Sequence, residues 1–394
     1  MYLKKTFSIF ITLFFAGSAF SHTIDLPPSL VAPGEEIKTI KSGINFGEGP
    51  AADSEDNLYF TDRDPSRIWK ITPQGTATVF RNDANGANGM VFDPEDHLIV
   101  CEKNGLTRIK RDGTVTTLFA ADTFGSEGPN DLTLTSNGSI FFTSSVWNSN
   151  GKVYFWDSET KTVKTILSFT NPPNYPNGIE FIESKKLLYL NITQKDSVLK
   201  YQVNDDMSVT KIGGFCRTPS PDGLAIDSNG NLWIANTNGN RTVTVFDSTG
   251  AKLGSISIDG QQSIQNCAFG GLDKKTLYIT GKTAVFSLRT LVAGRSTTGE
   301  IPVKVIGNGK ERVQRGKHFT NKGNASLTLW SIDGKLIGNY RSGNSEVFTK
   351  SMISQVLRKL PYQLNSGAYI YSLRQDGVEL SGIHLFRKTE AEFR

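Results

Sequence analysis

Six similar segments of strand-forming residues each begin with a residue whose side-chain oxygen can bind a metal ion. The steps between the openings are 40, 42, 47, 45 and 44 residues. Carboxylate and amide oxygens are hard ligands that suit Ca²⁺ and related ions. If the positions are equivalent in the fold, their side chains converge on one axis and could bind a divalent cation there. The six residues are Glu48, Asn88, Asn130, Asn177, Asp222 and Asn266.

Two of these six residues are carboxylates, Glu48 and Asp222, and together they would neutralise one divalent cation. Without a cation, two carboxylates in a narrow channel would repel each other and lose their hydration. A simpler interpretation remains open, because Asn-Gly and Asp-Gly also begin strands as ordinary turns. Six aligned positions, one of them the poor turn residue Glu48, favour a central site.

The positions of the histidines limit the kinds of catalytic site that the chain could form. The four histidines are His22, His97, His318 and His384, and none falls at a predicted site position. This does not favour a Ser–His–Asp hydrolase. A general base at the axis should therefore be a carboxylate, which leaves Asp222 and Glu48.

The elements that must position these residues are short strands. Each opening leads into a strand, a turn rich in Asp, Asn or Gly, and a second strand, with further strands behind. A repeat of this length with several strands per unit is typical of a β-propeller. The sequence therefore predicts an all-β, six-bladed propeller over residues 36–295. The sixth unit runs short, and the orphan strand at 36–44 should complete it and close the ring.

Strand direction also predicts which loops surround the entrance to the axis, here called the mouth. If the first strand of every blade starts at one face, the loops between second and third strands lie at that same face. These loops carry Arg63, Lys103 and Trp147, which could contact a polar ring substrate. Surface charge for the first two and blade packing for Trp147 are the alternatives.

The segments outside the propeller are predicted to be separate parts of the chain. Residues 1–21 have two lysines, an apolar run and an Ala-Phe-Ser end, which indicates a signal peptide and hence a periplasmic or secreted protein, with an uncleaved anchor as the alternative. No later apolar run is long enough for a transmembrane segment. A helical spacing at 349–360 stands out in the tail. The other predicted parts are an N-terminal arm (22–35), a linker (296–324), a small β-sandwich-like module (325–388) and a tail (389–394).

Charge and cysteine content exclude some classes of protein. Residues 22–295 hold 30 acidic and 26 basic residues, so no nucleic-acid partner is expected. The remainder holds 15 basic and 8 acidic residues, which fits a solvated surface or a polyanion-binding element. After the signal peptide the chain has three cysteines, an odd number that fits packing residues better than a disulfide framework.

The ordered openings EGP, GPND, PNG and PDG, followed by CAFGG and TLYIT, resemble the gluconolactonase/regucalcin (SMP-30) family of six-bladed, calcium-dependent lactonases over about residues 40–295. The resemblance implies metal ligands at Glu48, Asn130, Asn177 and Asp222. It also implies that Asp222 is the catalytic base, and that Asn88 and Asn130 lie close to the substrate. The remaining opening, Asn266, is interpreted as a turn residue that starts a strand.

Two mouth loops depart from the family pattern. Many bacterial members read CEHG where this chain has CEKNG, with Lys103 in the changed position. The third blade commonly reads FTDP, and here it reads FTSS, with Ser144 replacing the aspartate. Both departures bear on substrate identity and on activity. The tail motifs IDGKLIG and LNSGAYIYSL resemble C-terminal sorting domains of the type IX secretion machinery, with an accessory module as the alternative.

The expected function is hydrolysis of a sugar-type lactone, a small-molecule substrate. A divalent cation would polarise the carbonyl, and a carboxylate would accept a proton from water. Ca²⁺ is the expected ion, with Zn²⁺, Mg²⁺ or Mn²⁺ as alternatives. Two other readings remain open. One is a non-catalytic propeller with a structural ion that binds a glycan or a protein, and the other is a related esterase or phosphotriesterase.

Overall fold

In this computed structural model, the chain is described with its side chains over 22–120 and 128–295, and by backbone strands between 304 and 386. It divides into two compact units, 1–297 and 298–394. The predicted signal peptide at 1–21 and the predicted helix at 349–360 lie outside the described residues.

The first unit is a six-bladed β-propeller, as predicted. Each blade is an antiparallel sheet whose first strand contacts the first strands of its neighbours, so the first strands surround the axis. The strands of blade one are Gly47–Ala52, Leu58–Asp62, Arg67–Ile71 and Ala77–Arg81. Those of blade two are Met90–Phe92, Leu98–Glu102, Gly105–Ile109 and Val115–Ala120. Those of blade three are Pro129–Leu134, Ile140–Ser144, Lys152–Trp156 and Val163–Ser168.

The second half of the ring repeats this arrangement. The strands of blade four are Pro176–Ile182, Leu187–Ile192, Ser197–Val203 and Val209–Arg217. Those of blade five are Pro221–Ile226, Leu232–Asn236, Thr242–Phe246 and Lys252–Ser257. Blade six takes three strands from the end of the unit, Ile264–Gly270, Thr276–Gly281 and Ala284–Arg289. Two 3₁₀ turns, Glu183–Lys185 and Thr193–Lys195, connect successive strands of blade four.

The N-terminal segment closes the ring. Lys38–Ser42 pairs antiparallel with Ala284–Arg289 and becomes the outer strand of blade six, which confirms the predicted closure by 36–44. The segment predicted as an extended arm also holds a strand, Thr23–Asp25, which adds a fifth strand to the edge of blade five. Blade six therefore mixes the two ends of the propeller, so the ring leaves no open sheet edge between its first and last blades.

The apolar core lies between neighbouring blades. Second strands such as Leu58–Asp62 are buried along their whole length, because blades pack against both of their faces. Tyr59 of blade one meets Phe92 of blade two edge to face, with ring centroids 5.1 Å apart. Trp233 of blade five meets Phe269 of blade six in the same way at 5.6 Å. Burial of these aromatic faces stabilises each blade only when its neighbour is present.

An aspartate turn joins the first and second strands of several blades. Asp53 Oδ1 accepts hydrogen bonds from the backbone N–H groups of Glu55 and Asn57 at 2.9 and 2.8 Å. Asp93 and Asp227 make the same pair of bonds in blades two and five. The recurring aspartate is thus explained by turn chemistry, in which the side chain replaces missing strand partners.

The second unit is also β-structured. A hairpin, Lys304–Gly307 with Lys310–Val313, lies inside the stretch predicted as a linker. A four-stranded antiparallel sheet follows in the predicted C-terminal module, in the spatial order Leu336–Arg341, Ala325–Ser331, Gly367–Gln375 and Val378–Phe386. Across the described part of the chain, we find no helix with the length and apolar character needed to span a membrane.

Two equivalent glycines test whether the strand Thr23–Asp25 is bound to blade five. Gly254 and Gly213 lie in the fourth strands of blades five and four, and both have φ of 155°. A Cβ at Gly254 would lie 2.0 Å from the Asp25 carbonyl oxygen, whereas a Cβ at Gly213 would meet nothing within 4 Å. We expect Gly254→Ala to lower the free energy of unfolding by about 1–3 kcal/mol more than Gly213→Ala, because only the former forces the added strand away.

Urea unfolding of the two variants measures this difference, and the backbone strain common to both cancels in the comparison. Equal destabilisation by the two substitutions would mean that the segment does not pair with blade five in solution.

Candidate functional site

A cavity of about 220 Å³ opens where the first strands of several blades begin. It collects side chains from blades one, three, four and five, and from the loops beside them. Six residues predicted for the site line it, namely Glu48, Arg63, Asn130, Trp147, Asn177 and Asp222. Its other described lining residues are Phe46, Tyr175, Thr193, Thr237 and Asn238.

β-Bulges mark the blade openings that reach the cavity. The strand register shifts between Glu48 and Ala51, and again across the short stretches that hold Asn130, Asn177 and Asp222. It also shifts at Asn266, which is not among the described residues that line the cavity. A bulge leaves a residue unpaired and re-aims its side chain. In blade two the first strand begins only at Met90, after the opening residue. The local backbone therefore separates the four residues implied as metal ligands from Asn88.

The residue after each opening is usually glycine, because neighbouring side chains fill the space beside it. A Cβ at Gly223 would lie 2.0 Å from Asn266 Oδ1, and a Cβ at Gly89 would lie 2.4 Å from Asp131 Oδ1. Both positions must therefore lack a side chain for the axis to hold these polar groups. The Asn-Gly and Asp-Gly pairs serve the axial packing as well as the start of a strand.

The two asparagines implied as metal ligands, Asn130 and Asn177, each donate a hydrogen bond from the amide nitrogen to the protein. Asn177 Nδ2 donates to Thr193 Oγ1 at 3.1 Å, and Asn130 Nδ2 donates to the Tyr175 hydroxyl at 3.4 Å. Thr193 Oγ1 in turn donates to the Pro221 carbonyl at 2.7 Å. Since each amide nitrogen is engaged, each amide presents its oxygen as the remaining ligand atom.

The two carboxylates are also oriented by neighbours. Glu48 Oε2 accepts from the Gly49 N–H at 3.3 Å and from Asn266 Nδ2 at 3.5 Å. Asp222 accepts a hydrogen bond from the side chain of Thr237. Asn266, which sequence reasoning treats as a strand-starting turn residue, therefore also supports Glu48.

This donor set fits a hard divalent cation. Two carboxylates and two amide oxygens provide oxygen ligands alone, as Ca²⁺ prefers, and their neighbours fix their orientation. Within the described residues, no three His, Cys, Asp or Glu side chains are grouped closely enough to hold a metal by themselves. A cation here would therefore depend on the amide oxygens of Asn130 and Asn177 as well.

Burial makes these carboxylates reluctant to ionise. Desolvation raises the pKa of Glu48 from its usual 4.5 to about 7, and the positive charge of Arg63 opposes the rise. Desolvation, together with the charges of Glu48 and Asp131, raises the pKa of Asp222 well above the usual value for aspartate. The protein alone does not balance this charge, which is the electrostatic situation that favours a bound cation.

Asp131 is an axial carboxylate that the sequence prediction missed. Its burial raises its pKa to about 8, against the hydrogen bond that its carboxylate accepts from the Leu132 N–H at 2.9 Å. It stands immediately after the blade opening, where four other blades have glycine and one has Cys267. An aspartate at a position where the other blades have glycine or cysteine was the feature of the sequence that could have indicated this carboxylate.

Arg63 and Trp147 lie at the mouth on different sides. The Arg63 guanidinium carbon lies 5.8 Å from the centroid of the Phe46 ring. Trp147, 45% exposed, packs edge to face against Tyr175 with ring centroids 5.3 Å apart. The mouth therefore has a cationic side next to blade one and an aromatic side next to blades three and four.

Asn88 and Lys103 are not among the described residues that line the cavity. Asn88 is buried, its N–H donates to the Cys101 carbonyl, and its own carbonyl accepts from Thr61 Oγ1 at 3.1 Å. Lys103 is exposed, and its side chain runs beside Gly86.

Ser144 and Ser145, where blade three departs from the family pattern, each donate a hydrogen bond to a backbone carbonyl. Ser144 Oγ donates to the Gly128 carbonyl at 3.1 Å, and Ser145 Oγ donates to the Pro176 carbonyl at 2.6 Å. Both bonds hold backbone within two residues of a proposed ligand, Asn130 in the first case and Asn177 in the second. These serines therefore stabilise the site without adding a charge to it.

Comparison with known proteins gives a match to the family model of the SMP-30/Gluconolactonase/LRE-like region over residues 46–283. The chain is 23% identical over 254 residues to the pentonolactonase XacC of Haloferax volcanii, covering 62% of this chain and 84% of the relative. It is 25% identical over 301 residues to the gluconolactonase of Zymomonas mobilis, covering 66% of this chain and 82% of that one. A calcium-binding regucalcin from Agrobacterium tumefaciens has the same fold, with a TM-score of 0.58, 16% identity, and coverage of 66% and 96%.

The raised pKa of Glu48 makes the cation-free protein sensitive to pH. A carboxyl whose pKa is higher in the folded state stabilises the fold fully below about pH 4.5, and this contribution is lost as the pH rises to about 7. With a chelator present, we expect the free energy of unfolding to fall over this interval, by up to about 3 kcal/mol from Glu48. Glu48→Gln should flatten the fall, whereas Glu159→Gln in an exposed turn should not.

Urea unfolding at a series of pH values measures the slope, and added Ca²⁺ should reduce it because the ion binds the folded state. A chelated protein whose stability is flat between pH 4.5 and 7 would contradict the buried, uncompensated Glu48.

The hydroxyl of Thr193 fixes the orientation of Asn177. Thr193→Val keeps the shape of the side chain but removes the acceptor for Asn177 Nδ2, so we expect Ca²⁺ affinity to fall about 10-fold. Thr193→Ser restores the hydroxyl and should restore most of the affinity. Calorimetric titration with Ca²⁺ measures both variants. Equal affinity in the valine variant and the unmodified protein would show that this bond does not position the ligand.

Proposed function

This chain belongs to the SMP-30/gluconolactonase/LRE-like family, and we propose that it is a lactonase that opens a sugar lactone with the help of a divalent cation. The observation that carries the proposal is the convergence of Glu48, Asn130, Asn177 and Asp222 in one cavity. Each of these residues is oriented by a neighbouring group that leaves an oxygen for the ion. Relatives with this family region include a pentonolactonase and a gluconolactonase.

The size and lining of the cavity suit a single sugar ring. At about 220 Å³ it would hold a small lactone together with some water. The aromatic side chains of Trp147 and Tyr175 offer a surface for the apolar face of the ring. Thr237 and Asn238 offer polar atoms for its hydroxyl groups. Such a mixture of aromatic walls and a few polar groups is typical of small-molecule sites.

The oxygen-only ligand set favours Ca²⁺, with Mg²⁺ or Mn²⁺ as alternatives, and it argues against Zn²⁺. When bound by the four ligand residues, the cation would polarise the lactone carbonyl and stabilise the negative charge that develops on its oxygen. The four proposed ligand residues are buried, and electrostatic interactions are stronger in such a partly desolvated site than in water.

In this proposal Asp222 is the general base. It takes a proton from the water whose oxygen forms the new bond to the carbonyl carbon. The ring C–O bond then breaks, and the ring oxygen receives that proton to become a hydroxyl group, so the product is an open-chain hydroxy acid. Asp222 suits this role because it and Glu48 are the only carboxylates among the described residues that line the cavity, and a carboxylate positioned beside the water can accept its proton.

Asp222→Asn tests the base. The amide keeps the shape of the side chain and an oxygen ligand but cannot accept the proton, so we expect kcat for lactone hydrolysis to fall by about 10²- to 10⁴-fold. Asp247→Asn, in an exposed turn, is the matched control and should retain full activity. A pH-indicator assay on gluconolactone and a pentonolactone measures the rates. A calcium titration of each variant in the same buffers gives the Ca²⁺ concentration that saturates it, and the rates are measured at that concentration.

A chelator should abolish turnover while the circular dichroism of the propeller persists, and Ca²⁺ should restore activity. Full activity of Asp222→Asn at saturating Ca²⁺ would remove Asp222 as the base. Full activity in chelator would remove the cation from the reaction.

A further inference from the structure

We propose that the outer edge of blade four binds an extended, acidic segment of another protein, which pairs with it as an additional β-strand. The fourth strand of this blade, Val209–Arg217, pairs with Ser197–Val203 and is the last strand of its sheet among the described residues. An open strand edge is a template for pairing with another chain. This surface is separate from the described lining of the candidate cavity, so the inference does not depend on the proposed function.

Blade five already carries an added strand on the same sequence motif. Its fourth strand contains Lys-Leu-Gly at 252–254, and the fourth strand of blade four contains Lys-Ile-Gly at 211–213. In both strands the middle residue is the extra residue of a β-bulge, and the glycine has φ of 155°. In blade five the strand Thr23–Asp25 lies along this motif and places Asp25 opposite Ser255, the residue after the glycine. The edge of blade four therefore has the local structure to which a strand is added in blade five.

Glycines with this backbone conformation mark places where the next strand approaches closely. Among the described residues, three glycines have φ of 143° to 155°, namely Gly105, Gly213 and Gly254. A Cβ at Gly105 would lie 1.9 Å from the Phe119 carbonyl oxygen, and a Cβ at Gly254 would lie 2.0 Å from the Asp25 carbonyl oxygen. Both carbonyls belong to the next strand outward. A Cβ at Gly213 would meet nothing within 4 Å, so this glycine leaves space for the carbonyl of an added strand.

The apolar residue of the motif is covered in blade five and exposed in blade four. Leu253 is partly buried and packs against the same core cluster as Ile24 and Leu26 of the N-terminal segment. Ile212, its counterpart, is 55% exposed. An added strand with an apolar side chain would cover Ile212 in the same way. The motif distinguishes blade four from the other outer strands that end a sheet, which contain no glycine: Ala77–Arg81, Val115–Ala120 and Val163–Ser168.

The charge of the edge indicates the chemistry of the partner. Lys211 and Arg217 are the only charged residues of the strand, and both are exposed. An acidic segment is attracted to such an edge, and a basic segment is repelled. The N-terminal segment that pairs with blade five has a suitable pattern, because Asp25 stands between Ile24 and Leu26. The expected partner is therefore an extended segment in which an acidic residue stands between two apolar residues.

The match between the two edges ends one residue after the glycine. In blade four, Phe215 is the extra residue of a second bulge, which the fourth strand of blade five does not have. The predicted contact is therefore short and lies along 211–214, much as the strand on blade five extends only over Thr23–Asp25. In such an addition the main-chain hydrogen bonds provide affinity, and the side chains provide specificity.

The test uses a capped synthetic peptide with the sequence of residues 22–27, HTIDLP, titrated into the protein by calorimetry. The unmodified protein should bind it at one site. Gly213→Ala should lower the affinity at least about 10-fold, because the new Cβ occupies the space that the incoming carbonyl needs. Gly214→Ser is the matched control, because Ser255 at the equivalent position pairs with Asp25 in blade five. Its affinity should stay within about 2-fold of the unmodified protein.

Two further comparisons test the side chains. Ile212→Ser should lower the affinity about 3- to 10-fold, because it removes the apolar contact. A peptide with lysine in place of its aspartate should bind more weakly, and the difference should shrink at high salt. Urea unfolding shows whether each variant is folded. If Gly213→Ala does not fold, Ile212→Ser decides, and unchanged affinity in that variant would sink the proposal.

Three other results would overturn the assignment. One is the absence of saturable peptide binding to the unmodified protein. Another is an equal effect of Gly213→Ala and Gly214→Ser, which would mean that the peptide binds elsewhere. The third comes from sedimentation of the protein without peptide. Dimerisation that Gly213→Ala abolishes would assign this edge to a second copy of the chain in place of a separate partner.

Discussion

The burial of carboxylates on a narrow axis is the constraint on which the site depends. Glu48, Asp131 and Asp222 are all buried, and desolvation is the largest cause of the raised pKa of each. A buried charge costs several kcal/mol unless hydrogen bonds and a counter-charge offset it. The fold provides the hydrogen bonds through Gly49, Asn266 and Thr237. The counter-charge within the protein comes in part from Arg63, and the cation proposed above would offset the rest.

Neighbouring blades share the task of fixing this axis. The second strand of one blade donates a side-chain hydrogen bond to the backbone carbonyl of the next opening residue. Thr143 Oγ1 donates to the Asn177 carbonyl at 2.9 Å, and Asn191 Nδ2 donates to the Asp222 carbonyl at 2.5 Å. Asn177 and Asp222 are thus each held by their own blade and by the blade before it. A change in one blade–blade contact therefore displaces a ligand at the centre.

The repeat predicted the ring and its openings, because a period of strands is a local property of the sequence. Closure by 36–44 was predicted from an unpaired strand and a short last blade. The supports of the proposed ligands were harder to predict, since Thr193 and Tyr175 lie outside the repeated opening, and Tyr175 contacts Asn130 from the next blade. Asn266 resembled an ordinary turn residue, and its contact with Glu48 joins positions 218 residues apart in sequence. Such a pair joins the first and last blades, and no local pattern shows which side chains meet across that junction.

Ring closure and the site are connected through one short segment of chain. Lys38–Ser42 completes blade six, and Glu48 follows a few residues later in the first strand of blade one. Between them, Ile44 is buried in a cluster with Phe60 and Val285, and Phe46 packs beside Arg63. Because the first and last blades share this segment, separation of blade six from blade one would displace Glu48 from Asn266 and Arg63 from the mouth. The same contacts that hold the ring closed therefore hold one proposed metal ligand and the cationic side of the cavity mouth in place.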